Sequence, residues 1–262
     1  MIDIAILGAA GRMGQRLVAL ARQESGFNVV AAIEKPDHPA QARDAGEVAG
    51  IGAIGLPITS DLTRRADVLL DFTTPAATRH WLKKCRDGRI AMLIGTTGLQ
   101  DADHATIDQA AADIPILQSP TMALGIAVMI RLVAQAASAI GADCDVEIVE
   151  SHHRFKKDAP SGTALAIADA ILKAVGRNRD SLVFGRRGAD CPRKPGEVGV
   201  HSLRLGDDVG RHTAAFALLG ERLEISHTAT SRDTFVRGAL RAARWLAGQK
   251  PGRYTLADVL GL

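Results

Sequence analysis

Short apolar runs alternate with helical periodicity along the first half of the chain. Ile2 to Leu7 is a mostly apolar run ending at Gly8, the pattern of a buried parallel strand. From Arg12 to Gln23, Met13, Leu17, Leu20 and Ala21 recur on one helical face, and Phe27 to Ile33 reads as a second strand. Strand-like runs return at Val68–Phe72, Ile90–Ile94 and Ile114–Leu117, with helical stretches over 75–86 and 101–112 between them. This alternation predicts a parallel sheet with helices on both faces and right-handed crossovers.

The pattern changes after Ala123. A long apolar helix is expected to about Ile140, then an alternating strand from Asp145 to Glu150. A helix over 161–175 would carry Leu165, Ala168, Ile171, Leu172 and Val175 on one face, with Gly176 as its stop. Three strands are expected over 198–205, 212–219 and 222–229, followed by an amphipathic helix over 233–247 and a short terminal segment. The Arg-, Gly- and Pro-rich stretch from Gly185 to Gly199 reads as a mobile loop. Strands grouped in this way point to a second domain with a mixed or antiparallel sheet.

Composition narrows the function. A chain of 262 residues is one large domain or two modest ones. Its net charge is only +3, without a basic stripe, and aromatic residues make up only 3%, so a nucleic-acid partner is not expected. Cys85, Cys144 and Cys191 are far apart and form no CxxC pair, which fits a reduced, intracellular protein. Arg131 interrupts the longest apolar run, Ala123 to Val133, so no membrane span is expected. The first residues carry no signal-peptide pattern, and a cytoplasmic location is expected.

Candidate chemistry begins at the first strand–helix junction. Gly8, Ala9, Ala10, Gly11, Arg12, Met13 and Gly14 form a G-x-x-G-x-x-G turn, where glycines allow close backbone approach and a helix start attracts a pyrophosphate. Glu34 lies 20 residues beyond Gly14, at the end of the second strand, where an acid can accept from ribose hydroxyls. A tight structural turn followed by a surface acid would look the same in isolation; the position and spacing favour a dinucleotide. Lys35 is either a solvated lysine or a cation for the 2′-phosphate of NADP. Asp71-Phe-Thr-Thr-Pro75 and Gly95-Thr96-Thr97-Gly98 close two later strands at their carboxyl ends, where open parallel sheets bind ligands.

The most unusual stretch runs from Glu150 to Thr163. His152 and His153, with Lys156 four residues after the first, precede Ser161-Gly162-Thr163 at a helix start. Hydroxyls and helix-start N–H groups there can cradle a carboxylate, and a lysine among cations is a good proton donor. A basic loop before a capped helix is the plainer alternative. A metal is not expected, because adjacent histidines project differently and no third ligand is close.

Taken together, GAAGRMG, Glu34, DFT, GTTG and above all HHRFKKDAPSGTAL resemble the 4-hydroxy-tetrahydrodipicolinate reductase (dihydrodipicolinate reductase) family of lysine and diaminopimelate biosynthesis. GDDVGRHTAAFALLGERLEISHTATSRDTFVRGALRAARWL is also similar, so the resemblance spans nearly the whole chain. It implies an α/β protein: a Rossmann-like doubly wound parallel sheet with a second α+β substrate and oligomerisation domain carrying a mixed sheet. The dinucleotide-binding domain would be 1–122 plus 233–262, and 123–232 the substrate-binding, tetramerising domain of a homotetramer. His152 is the implied acid/base residue, Lys156 the implied proton donor, and His153, Gly162 and Thr163 are implied at the substrate carboxylates. The cofactor, NADH or NADPH, would lie along Gly8 to Met13, Glu34, Gly95 to Thr97 and Ser119, Pro120, Thr121 and Met122.

The chain departs from the family at one segment. Thr121 and Ala127 stand where Asn is usual, and Ala123 where Ser is usual. This stretch joins the two expected domains near the nicotinamide. The combined reading is hydride addition to a dicarboxylate heterocycle, with the proton delivered by Lys156 or His152 and hinges near 122 and 232. Two rivals remain: a reductase of the same architecture acting on another cyclic imine or enamine acid, favoured by the changes at 121–127, and a non-enzymatic nucleotide-sensing regulator. The regulator would have no use for a proton donor.

Overall fold

In the computed structural model, which describes residues Met1–Leu262, the opening apolar run is β1 (Ile2–Leu7). The chain continues through α1 (Arg12–Gln23), β2 (Phe27–Ile33), α2 (Ala45–Val48), β3 (Ile58–Thr59), β4 (Val68–Asp71), α3 (Pro75–Gly88), β5 (Ala91–Ile94), α4 (Asp101–Ala110) and β6 (Pro115–Gln118). Then come α5 (Leu124–Ile140), β7 (Asp145–His152), α6 (Gly162–Ala174), β8 (Leu182–Phe184), β9 (Val198–Arg204), β10 (Gly210–Leu218) and β11 (Glu221–Ala229). The last elements are α7 (Asp233–Leu246), β12 (Gly252–Tyr254) and α8 (Leu256–Leu260).

These elements form two units. The first comprises Met1–Met122 with Phe235–Gly261, and the second comprises Ala123–Thr234 with Leu262. In the first, seven strands lie in the order β12-β6-β5-β4-β1-β2-β3, all paired in parallel. Its central strands are buried on both sides, which is why Ile4, Ala5, Ile6, Leu69, Leu70, Leu93 and Ile94 can follow one another without polar alternation. The second unit holds five strands in the order β11-β10-β7-β9-β8. Here β10 is antiparallel to β11 and β7, whereas β9 is parallel to β7 and β8, so the sheet is mixed as expected. Alternation now governs: Val146, Ile148 and Glu150 of β7 are buried on one face and Val149 is exposed on the other.

The helix ends follow local chemistry. Thr74 caps α3 and Pro75 opens it. Ser161 caps α6, and Gly176 follows its end at φ +68°. The expected elements are all present, with ends shifted by a residue or two. The pieces not foreseen are short. β3 has two residues, α2 four, and β8 and β12 three each, too few to show a period. Residues 185–197 have no regular structure, but Arg186 is paired with Glu197 at 2.8 Å and Arg193 with Asp145 at 2.7 Å, so this loop is tethered. No helix is long and apolar enough to cross a membrane.

Candidate active site

The turn after β1 is shaped by its glycines. Gly8 sits at φ +75°, and a Cβ there would come within 2.7 Å of Thr73 Cγ2. A Cβ on Gly14 would come within 2.1 Å of Gly8 O, so α1 can lie against the turn only without one. The N–H groups of Gly8 and Ala9 donate to Ile33 O, joining the turn to the end of β2. Gly11 offers no side-chain cap to α1, and the first turn of that helix holds no acid. An acid-free, uncapped helix start at the carboxyl edge of a parallel sheet fits a pyrophosphate. Glu34 Oε2 accepts from Ala10 N–H at 3.3 Å, which puts the acid beside the turn. Lys35 Nζ is 3.3 Å from Asp37 and exposed, so its charge already has a partner.

Two later loops meet at Asp71. This fully buried carboxylate accepts from the Thr73 N–H and hydroxyl, from Thr78 Oγ1 at 2.5 Å and from Thr96 Oγ1 at 3.0 Å. Burial pushes its acid up despite the hydroxyls that favour the ionised form. Thr96, expected along the cofactor, uses its hydroxyl on Asp71 and to accept from the Thr73 N–H at 2.9 Å. Thr97 is the exposed member of the pair. A Cβ on Gly95 would overlap the Phe72 ring at 2.1 Å. A cleft of about 220 Å³ is lined by Met13, Gly95, Ser119, Pro120, Thr121 and Met122, together with Phe72 and Phe235. Sequence reasoning missed both phenylalanines as lining. Met13, which the resemblance places along the cofactor, is among the lining residues.

In the second unit, β7 presents Glu150 and His152 two residues apart on one face. His152 Nδ1 lies 2.5 Å from Glu150 Oε2, and Glu150 Oε1 accepts from Ser161 N–H at 3.2 Å. Arg204 Nη1, from β9, reaches both oxygens at 3.0 and 3.1 Å. Burial would raise the Glu150 acid, but hydrogen bonds from His152, Ser202 and Arg204 outweigh it and hold it below the usual range. His212 of β10 meets the His152 ring edge-on at 5.2 Å. Its own pKa is pushed down to about 4, first by burial and then by the charge of His152.

Two of the expected residues have surroundings that the sequence does not show. Ser161 is buried; its hydroxyl accepts from Ala164 N–H at 3.1 Å and lies 3.2 Å from His212 Nε2, while its N–H serves Glu150. Its polar groups therefore hold the protein together, whereas Gly162 is exposed and Thr163 half-buried at the helix start. Lys156 was read as a lysine among cations, yet its Nζ pairs with Asp158 at 2.8 Å. His153 keeps a buried Nδ1 without a partner. Arg204 and His212 were not foreseen; for His212 the only signal was its place on the Ala214–Phe216 face of an alternating strand. No three His, Cys, Asp or Glu side chains are grouped to hold a metal.

Along its whole length the chain is similar to known reductases. The family model for the dihydrodipicolinate reductase N-terminus matches residues 2–122, and that for its C-terminus matches 125–260. The chain is 46% identical to the 4-hydroxy-tetrahydrodipicolinate reductase of Alkalilimnicola ehrlichii, over 99% of this chain and 98% of that one. It is 44% identical to the enzyme of the same name from Geotalea uraniireducens, over the whole of both chains. Among solved structures, a dipicolinate-bound dihydrodipicolinate reductase from Paenisporosarcina shares the fold at TM-score 0.76 and 23% identity, covering 98% of each chain. An amine dehydrogenase from Mycobacterium smegmatis does so at TM-score 0.66 and 14% identity, over 97% of this chain and 95% of that one. The glycine turn falls within the first matched segment and the His-His…Lys segment within the second, and from end to end this chain belongs to the dihydrodipicolinate reductase family.

Proposed function

We propose that the protein reduces the 4-hydroxy-tetrahydrodipicolinate or dihydrodipicolinate ring to tetrahydrodipicolinate, in lysine and diaminopimelate biosynthesis, with NADH or NADPH. The observation that carries this reading is the site on β7 and α6. A histidine held by a buried carboxylate stands next to a helix start where the N–H groups of Gly162 and Thr163 precede the first intrahelical bond, Leu165 N–H to Ser161 O. That helix start receives a substrate carboxylate, with His153 as a further contact, and Lys156, four residues beyond His152, adds positive charge. The charge opposes the negative charge that builds up on the ring during reduction. His152 or Lys156 then delivers the proton. The nicotinamide, when bound, supplies the hydride.

In the first unit, Gly8 to Met13 would hold the pyrophosphate and Glu34 the adenosine ribose. Gly95, Thr97 and Ser119 to Met122 would flank the nicotinamide end, with Thr96 setting the loop through Asp71. Glu34 favours a free ribose hydroxyl, and Lys35, paired with Asp37, compensates little for a 2′-phosphate. Both cofactors should work, NADH at least as well. A cytoplasmic location follows from the pathway.

A homotetramer is part of the same proposal. On the sheet face away from α5 and α6, Val149, Leu203 and Leu205 are each between 37% and 54% exposed beside a groove of about 330 Å³. Apolar groups grouped in this way call for a cover. Leu203→Asp should leave a smaller species by light scattering, and an unchanged mass would remove this face from assembly.

The direct test is oxidation of NADH and NADPH with freshly generated product of dihydrodipicolinate synthase. Turnover with either supports the assignment, and inertness with both overturns it. One observation favours a second reading, a reductase of another cyclic imine acid: the absence of Asn at 121 and 127. If that reading were right, restoring both Asn residues would raise activity on the pathway substrate tenfold or more, about what a hydrogen bond of 1 to 1.5 kcal/mol gives. We expect little change.

A further inference from the structure

We propose that Glu150 is a positioning residue for the reduction: it holds His152 in the tautomer protonated on Nδ1, so that Nε2 is the ring atom that exchanges a proton with the substrate. This rests on the assignment of His152 as the acid/base residue.

The geometry leaves Glu150 one role toward the ring. A carboxylate only accepts hydrogen bonds, so at 2.5 Å from Oε2 the Nδ1 atom of His152 must carry a proton. The carboxylate stays ionised because Arg204 Nη1 bridges its two oxygens at 3.0 and 3.1 Å and Ser161 N–H adds a bond to Oε1. The opposite nitrogen is left clear. Gly210, at the start of β10, lacks the Cβ that would sit 3.1 Å from His152 Nε2. His212 fixes the ring from its edge without forming a hydrogen bond to it.

The charged and titratable groups around the ring are Glu150 on its own strand, Arg204 on β9, His212 on β10 and the Lys156–Asp158 pair on the following loop. Only Glu150 reaches Nδ1. Because its second oxygen holds Ser161, the same carboxylate sets both the histidine and the start of α6. Reorienting it would disturb the proton exchange and the carboxylate cradle together.

The test is a double-mutant cycle on the full chain with the pathway substrate, reading kcat and KM separately. In Glu150→Gln the amide oxygen can still accept from Arg204 and Ser161, which turns its NH2 toward Nδ1 and favours the wrong tautomer. We expect kcat to fall about 100-fold and KM to change less than threefold. In the His152→Gln background the same change should cost less than threefold.

The outcomes separate. Wild-type turnover in His152→Gln would remove His152 from the chemistry and take this proposal with it. A large loss in His152→Gln beside an intact Glu150→Gln would overturn the positioning role alone, as would a Glu150 loss that persists without His152. If Glu150→Gln does not fold, Glu150→Asp carries the same cycle. A loss that vanishes in the His152→Gln background then supports the role, and any other result overturns it.

Discussion

The N–H of Ala10 donates to Glu34 Oε2 at 3.3 Å, so the acid at the end of β2 leans onto the glycine turn. A 2′-phosphate bound there would meet a carboxylate, with Lys35 held by Asp37 at 3.3 Å. Glu34→Gln should therefore shift the ratio of kcat/KM for NADPH over NADH upward about tenfold, equivalent to about 1.4 kcal/mol. Steady-state kinetics with both cofactors measures it. An unchanged ratio would mean that Glu34 does not face the ribose.

Lys156→Ala should cut turnover by about two powers of ten while leaving dinucleotide affinity intact. Its pair with Asp158 is largely exposed on the acid's side, so the change in unfolding free energy should stay within about 1 kcal/mol. Single-turnover kinetics and denaturant melts read the two effects separately.

Asp71→Asn should loosen two loops at once. An amide cannot accept all the N–H and O–H donors that Thr73, Thr78 and Thr96 direct at this buried site, and its own NH2 would face hydroxyl donors. A loss of about 2 kcal/mol or more is expected, together with weaker cofactor binding. Calorimetric melts with and without NADH would show both. A normal melt would mean that the threonines redirect their protons without cost.

His212 makes the protein acid-sensitive. The unfolded ring takes up a proton as pH falls below 6.5, whereas the folded ring resists until about pH 4. Stability is therefore full above pH 6.5 and declines through that window, by an amount on the order of 3 kcal/mol. Burial lowers His227 as well, which adds in the same direction. Urea midpoints at pH 7 and 4.5 should differ clearly in the natural chain and less in His212→Gln. Equal slopes would assign the acid sensitivity elsewhere.

Strand and helix positions were readable because burial imposes a period, and Ile2–Leu7 and Arg12–Gln23 carry theirs in a few residues. Gly252–Tyr254 does not, since backbone pairing to β6, not side-chain pattern, makes it a strand. At the site, His152, Lys156 and the helix start were visible as local motif chemistry. Arg204 and His212 were not. They reach Glu150 and His152 across the sheet from 52 and 60 residues beyond His152, through the pairing of β7 with β9 and β10. Ser161 misled for a related reason: sequence gives a hydroxyl at a helix start but does not say that a buried histidine already lies beside it.

The edge strand β12 pairs with β6, and α7 lies between the second unit and that strand in the chain. On the ribosome, the first 122 residues emerge early but cannot finish their sheet. Residues 123–234 are complete before the missing strand is made. Until residues 252–254 arrive, Ile116 and Leu117 sit on an open edge where another chain could pair. Vectorial synthesis thus favours maturation of the inserted unit first, and a message cut short near residue 250 would yield a chain whose hazard is aggregation more than lost chemistry.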